Sequence, residues 1–126
     1  MTIILHEDLP ATIGYYSKVT ESRKIVTKDI GAQTFSLYEQ TIPPGGYIVN
    51  HLHTYEESLT FIAGQVIVTI NGKTTEVNAD ATIFIPPNTQ HSIKNDSDQL
   101  ARLIAVHATS EPKVIYPDGH PEPVKW

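Results

Sequence analysis

The sequence predicts an all-β fold of antiparallel strands, and three observations predict it. Short runs of strand-forming residues recur along the chain, each closed by Gly, Pro, Asn or Asp. No window sustains a 3.6-residue apolar period with helix caps at its ends. Asn71-Gly72, the strongest short hairpin signal, stands between two of the runs. Many short strands bounded by turns favour a sandwich or barrel over alternating strand and helix units.

Taken in order, residues 1–32 offer one or two edge strands. Thr34 to Ile42 is a strand ended by Pro43-Pro44-Gly45-Gly46. Ser58 to Ala63 and Gln65 to Ile70 are two apolar runs separated by Gly64, and Lys73 to Val77 returns after the Asn71-Gly72 turn. Ala81 to Ile85 is stopped by Pro86-Pro87-Asn88. His91 to Asn95 follows, then the polar turn Asp96-Ser97-Asp98, then Ala101 to His107. The tail from Tyr116 to Trp126 carries three prolines and Asp118-Gly119, which predicts an extended segment over the barrel or a neighbouring subunit. The 126 residues suit one domain, spanning 1–126 with its core barrel at about 33–110.

Composition narrows the chemistry. There is no cysteine, so a metal would meet only nitrogen and oxygen donors. The formal net charge is −5, and Arg23-Lys24 is the only adjacent basic pair. A nucleic-acid binder needs a basic patch, so no nucleic-acid partner is expected. The apolar runs are strand-length, so no membrane span is expected, and no secretory signal opens the chain. The expected location is the cytoplasm.

His51-Leu52-His53 is the most informative stretch. Residues two apart on a strand share a face, so both imidazoles can grip one ion. A lone His-x-His is nevertheless common on exposed strands. Glu57 follows, and Glu56 beside it would face the opposite side, as a surface charge. His91 stands beyond the Pro86-Pro87-Asn88 turn.

These residues sit in a wider pattern. Gly45, His51, His53, Glu57 and Gly64 fit the spacing G-x5-H-x-H-x3-E-x6-G at every position. Pro86, His91 and Asn95 fit G-x5-P-x-G-x2-H-x3-N, with Asp80 and Asn88 where that pattern has glycine. In both motifs the chain resembles the cupin superfamily, in its small single-domain, RmlC-like form. Asn and Asp tolerate the left-handed region best after glycine, so the turn geometry can survive. The resemblance implies a double-stranded β-helix, or jelly-roll, barrel. It also implies one divalent transition metal held by His51, His53, Glu57 and His91. Such a donor set suits Fe, Mn, Ni, Cu, Co or Zn.

Four protein ligands on an octahedral ion leave two open positions, for water, dioxygen or a chelating substrate. The expected function is therefore a metal-dependent enzyme on a small molecule. A dioxygenase, hence an oxidoreductase, leads; isomerase and lyase chemistry follow. A non-catalytic sensor or storage-type cupin is the alternative, and a homodimer is the expected assembly by resemblance. By strand parity Tyr47, Val49, Leu59, Phe61, Ala63, Ile93 and Asn95 would face the pocket. Arg102 and His107 are five residues apart on one strand, so at most one points inward, and a solvent-facing position is favoured for each. Arg102 inside would anchor a carboxylate; His107 inside would act as a base. Tyr38 and Gln40 share a face and are further candidates. His6 and His120 are read as exposed, and Trp126 as a cap or subunit contact.

Overall fold

The computed structural model describes residues 1–13, 20–119 and 121–123. The strands, in chain order, are β1 Thr12–Ile13, β2 Glu21–Val26, β3 Ser36–Ile42, β4 Tyr47–His51, β5 Glu57–Ala63, β6 Gln65–Ile70, β7 Lys73–Asn78, β8 Ala81–Ile85, β9 His91–Lys94, β10 Ala101–His107, β11 Lys113–Ile115 and β12 Pro121–Pro123. Short 3-10 turns at His6–Asp8 and Lys28–Ile30 are the helical elements among the described residues. One sheet runs β1-β2-β3-β10-β5-β8 and a second runs β4-β9-β6-β7. Every pairing is antiparallel. The two sheets form a jelly-roll sandwich that does not close into one continuous ring.

Alternation drives the packing. Along β10, Ala101, Leu103, Ala105 and His107 are buried, while Arg102, Ile104 and Val106 turn outward. Leu59 and Phe61 of β5, Tyr38 and Ile42 of β3, Val66 and Val68 of β6, and Ile93 of β9 complete the core between the sheets. Asn71 and Gly72 take φ of 48° and 81°, the positive pair that a tight hairpin turn requires.

The predicted strands from Thr34 to His107 all form, with boundaries shifted by a residue or two. The two motif positions that lack glycine behave differently: Asn88 takes φ 61°, whereas Asp80 is not left-handed. Parity fails in β4. The pairing of β4 with β9 slips between Ile48 and His51, and this irregularity reverses the alternation. Ile48 therefore packs on the core, and Tyr47, expected inside, is 37% exposed. The tail also departs from a plain extended segment: β11 and β12 pair as a small hairpin, and β11 bridges back to Leu52. His120 and Trp126 lie outside the described residues.

Asn95, expected in the pocket, is a fastener instead. Its amide donates to the carbonyls of Ile42 and Gln99, both at 2.8 Å. Its side-chain oxygen accepts from Ser97 N–H at 3.0 Å and Ser97 Oγ at 2.7 Å.

Candidate metal centre

Sheet register assembles the site. In the smaller sheet His51 at the end of β4 stands opposite His91 at the start of β9. In the larger sheet Glu57 at the start of β5 stands opposite His107 at the end of β10. His53 lies on the short connection from β4 to β5, between the two pairs. All five side chains are buried.

Hydrogen bonds fix the direction of each ring. A carbonyl oxygen only accepts, so a ring nitrogen bonded to one carries the proton. His51 Nδ1 donates to the Val49 carbonyl at 2.6 Å, His53 Nδ1 to the Lys113 carbonyl at 2.5 Å, and His91 Nδ1 to the Thr89 carbonyl at 2.9 Å. His107 Nδ1 lies 3.0 Å from Tyr55 Oη. That hydroxyl can donate to the Lys113 carbonyl at 3.2 Å, and in that arrangement it accepts from His107. In each ring Nε2 is left to face the centre.

Glu57 sits among these nitrogens. Its Oε1 is 3.0 Å from His91 Nε2, and its Oε2 is 3.0 Å from His107 Nε2 and 3.6 Å from His53 Nε2. Burial alone would raise the carboxyl, but the histidines, His107 first, pull it down to about 2. Burial pushes His51 down to about 3, with His91 and His53 adding to the fall. It pushes His107 down to about 4 and also lowers His53, in both cases against the pull of Glu57. Near neutral pH His51, His53 and His107 are thus neutral imidazoles beside an ionised carboxylate.

This arrangement fits a divalent cation. Ring lone pairs and a carboxylate oxygen at 3.0 Å repel one another unless a proton or a metal lies between them. His53 Nε2 and Glu57 Oε1 are buried with no hydrogen bond of good geometry, which is costly unless a ligand takes them up. Two overlapping triads, His51-His53-His91 and His53-Glu57-His107, each bring their donor atoms within 4.8 Å of one another. Nitrogen and oxygen donors of this kind suit first-row transition ions.

The remaining candidates divide. His107, for which a solvent-facing position was favoured, is buried at the centre. Arg102 faces outward, donates to Glu39 at 2.9 Å, and cannot anchor a substrate between the sheets. Tyr38 packs edge-on against His107, ring centres 5.4 Å apart. Gln40 is buried but donates to Ser22 Oγ at 3.4 Å, away from the cluster. Glu56 is exposed, as expected from its parity. His6 is exposed yet bonds the buried carboxylate of Glu39 at 2.5 Å. The residue that sequence reasoning missed is Tyr55. It follows His53 by two positions, the spacing that shares a face, and this was the available signal.

The model of the cupin domain matches residues 38–107, more than half of the chain. The chain belongs to the cupin family. Among curated proteins this cupin is similar to "Polyketide synthase CurC" of Streptomyces cyaneus, 29% identical over 76 residues, covering 60% of this chain and 49% of that protein. The chain spans about half the length of the curated relatives it matches. Among solved structures it is similar to the polyketide cyclase RemF from Streptomyces resistomycificus. The TM-score is 0.82 at 26% identity, covering 100% of this chain and 87% of that one. An RmlC-like cupin from Shewanella frigidimarina, TM-score 0.74 at 13% identity, covers 86% of this chain and 91% of its own and shows the fold. Among the described residues no helix is long and apolar enough to cross a membrane.

Proposed function

We propose that this cupin is a metal-dependent enzyme that closes rings in small molecules built from alternating carbonyl groups. His51, His53, His91 and Glu57 hold one divalent transition ion, and His107 moves the proton. The observation that carries this reading is the convergence of His53, His91 and His107 Nε2 on one buried carboxylate, with His51 grouped beside His53 and His91. The resemblance to a polyketide cyclase over the whole chain supports the substrate class.

A bound divalent ion supplies Lewis-acid polarisation of a carbonyl. The rest falls to the chain. A CH2 between two carbonyls is acidic enough for a positioned imidazole. His107 is neutral and buried, with Nδ1 already committed to Tyr55, so its Nε2 takes that proton. The carbon then bonds to a second carbonyl carbon of the same molecule, and the imidazolium returns the proton to the new alkoxide. Loss of water completes the ring. Tyr38 keeps the imidazole upright through its edge-on contact. A cytoplasmic homodimer completes the proposal, and sedimentation at the dimer mass would support that part.

The donor set of three histidines and a glutamate favours dioxygenase chemistry as a second reading. One experiment separates the two: the protein is loaded in turn with zinc, iron, nickel and copper and incubated with a linear triketone under labelled dioxygen. A product that has lost one water supports the cyclase. A product that has gained labelled oxygen supports the dioxygenase. Binding without any change of mass sinks both and leaves a ligand-binding cupin. His107→Ala is expected to keep its metal and lose about 100-fold or more in rate. Loss of the metal in that variant would instead make His107 a ligand.

A further inference from the structure

β11 lies just before the tail, beyond the strands of the two sheets, yet its backbone reaches the histidine cluster. It bridges to Leu52, the residue between His51 and His53: Leu52 N–H donates to the Ile115 carbonyl at 3.0 Å, and Ile115 N–H to the Leu52 carbonyl at 2.9 Å. The Lys113 carbonyl, two residues earlier, accepts His53 Nδ1–H at 2.5 Å. Lys113 N–H donates to Tyr55 Oη at 3.2 Å, and Tyr55 returns its own proton to the Lys113 carbonyl at 3.2 Å. The Tyr55 ring stacks on His53 with centroids 5.0 Å apart and planes 22° from parallel.

One assignment of the protons in this cluster satisfies the Lys113 carbonyl and the Lys113 N–H together. The Lys113 carbonyl can only accept, so Tyr55 donates to it. With that proton on the Lys113 carbonyl, Oη accepts from Lys113 N–H and from His107 Nδ1–H. The tautomer of His53 therefore depends on β11 directly, and that of His107 depends on it through Tyr55. Without β11, His53 is free to carry its proton on Nε2, which then has no lone pair for the metal, and His107 to carry its own there, where it can take up no proton.

We infer that β11 is a clamp on the metal centre, with Tyr55 as its positioning residue, so that docking of β11 and binding of the metal favour each other. The inference rests on the metal reading above. Coupling of this kind is reciprocal: whatever affinity the docked strand adds for the metal, the metal adds to the docking of the strand. Outer-shell partners of metal-bound histidines are worth about 10- to 100-fold in affinity, which sets the expected size.

The test uses zinc as the probe, in competition with a chromophoric chelator, on the full chain and three variants. Tyr55→Phe removes the relay. Ile115→Pro removes the N–H that latches β11 to Leu52. Lys113→Ala leaves every clamp bond in place, because Lys113 acts through its main chain. Zinc affinity is expected to fall about 10- to 100-fold in the first two and to stay within about threefold in the third. Far-UV circular dichroism checks that each variant is folded. Two further readouts report the coupling where a merely structural role would leave no trace. Nitrogen-15 spectra of the metal-free protein should show His107 protonated on Nδ1, shifting towards the other tautomer in Tyr55→Phe. Zinc should slow hydrogen exchange at the Leu52 and Ile115 amides. Unchanged affinity in both Tyr55→Phe and Ile115→Pro, with wild-type zinc binding intact, overturns the clamp alone. A wild-type chain that takes up no zinc overturns the clamp and the metal reading together.

Discussion

Gly64→Ala tests the corner that joins the two sheets between β5 and β6. Gly64 has φ +83°, and a Cβ there would lie 2.5 Å from the Leu100 carbonyl oxygen and 2.8 Å from Ala101 Cα. Both obstacles are backbone, so neither can swing aside. Left-handed backbone costs an alanine about 1–2 kcal/mol, and forcing a methyl into a packed site costs about 1–3 kcal/mol more. The variant should therefore lose about 2–5 kcal/mol, a large share of a typical domain's stability. Relief can come only by pushing back the start of β10, the strand paired with β5, which carries Glu57, so zinc affinity should fall as well. Urea denaturation of the metal-free protein measures the first effect and chelator competition the second. A loss under about 1 kcal/mol would refute the steric argument.

Three further outcomes follow from the same contacts. Asn95→Ala deletes four side-chain hydrogen bonds in a fully buried position and should cost about 2–4 kcal/mol in urea denaturation; a near-neutral effect would contradict the fastener role. Burial raises the Glu39 carboxyl, but hydrogen bonds from Arg102 and His6 outweigh it and hold the group below its ordinary value of 4.5. Its contribution is therefore present above about pH 4.5 and lost as the pH falls lower, so Glu39→Gln should be less stable at neutral pH and flatten the acid limb; equal acid slopes would sink this account. The His51→Ala/His53→Ala double variant should retain under about a tenth of the metal that the wild type holds at one equivalent, by elemental analysis after reconstitution.

Most of the sandwich was legible because its strands alternate and its turns advertise themselves. Leu59 and Phe61, or Leu103 and Ala105, bury every second side chain, and Asn71-Gly72 does what its chemistry demands. The β4 irregularity was not legible, because nothing in Tyr47-Ile48-Val49-Asn50 marks which residue breaks the pairing. Parity correctly set Arg102 and His107 on opposite faces but could not choose between them. That choice comes from the register that places His107 across from Glu57, and register is a property of the assembled sheet. Asn95 misled for a different reason: an inward-facing amide beside the turn Asp96-Ser97 finds backbone partners nearer than any pocket. Tyr55 went unread because its partner Lys113 is 58 residues away and contributes only backbone atoms.

The charge balance of the centre explains why so many separate elements converge on it. Burial holds His51, His53 and His107 neutral, each ring is turned by a bond at Nδ1, and the carboxylate among them stays ionised. Four nitrogens from β4, the following connection, β9 and β10 thus aim lone pairs at one small volume. Without a cation, that volume concentrates repulsion that the surrounding strands must contain. With one, the same contacts become attractive, and the free energy of binding adds to the stability of the strands that supply them. The elements closing last around the site should respond most to the metal. β11 reaches the barrel through Leu52, Tyr55 and His53, so it is the element whose docking the cation should strengthen first.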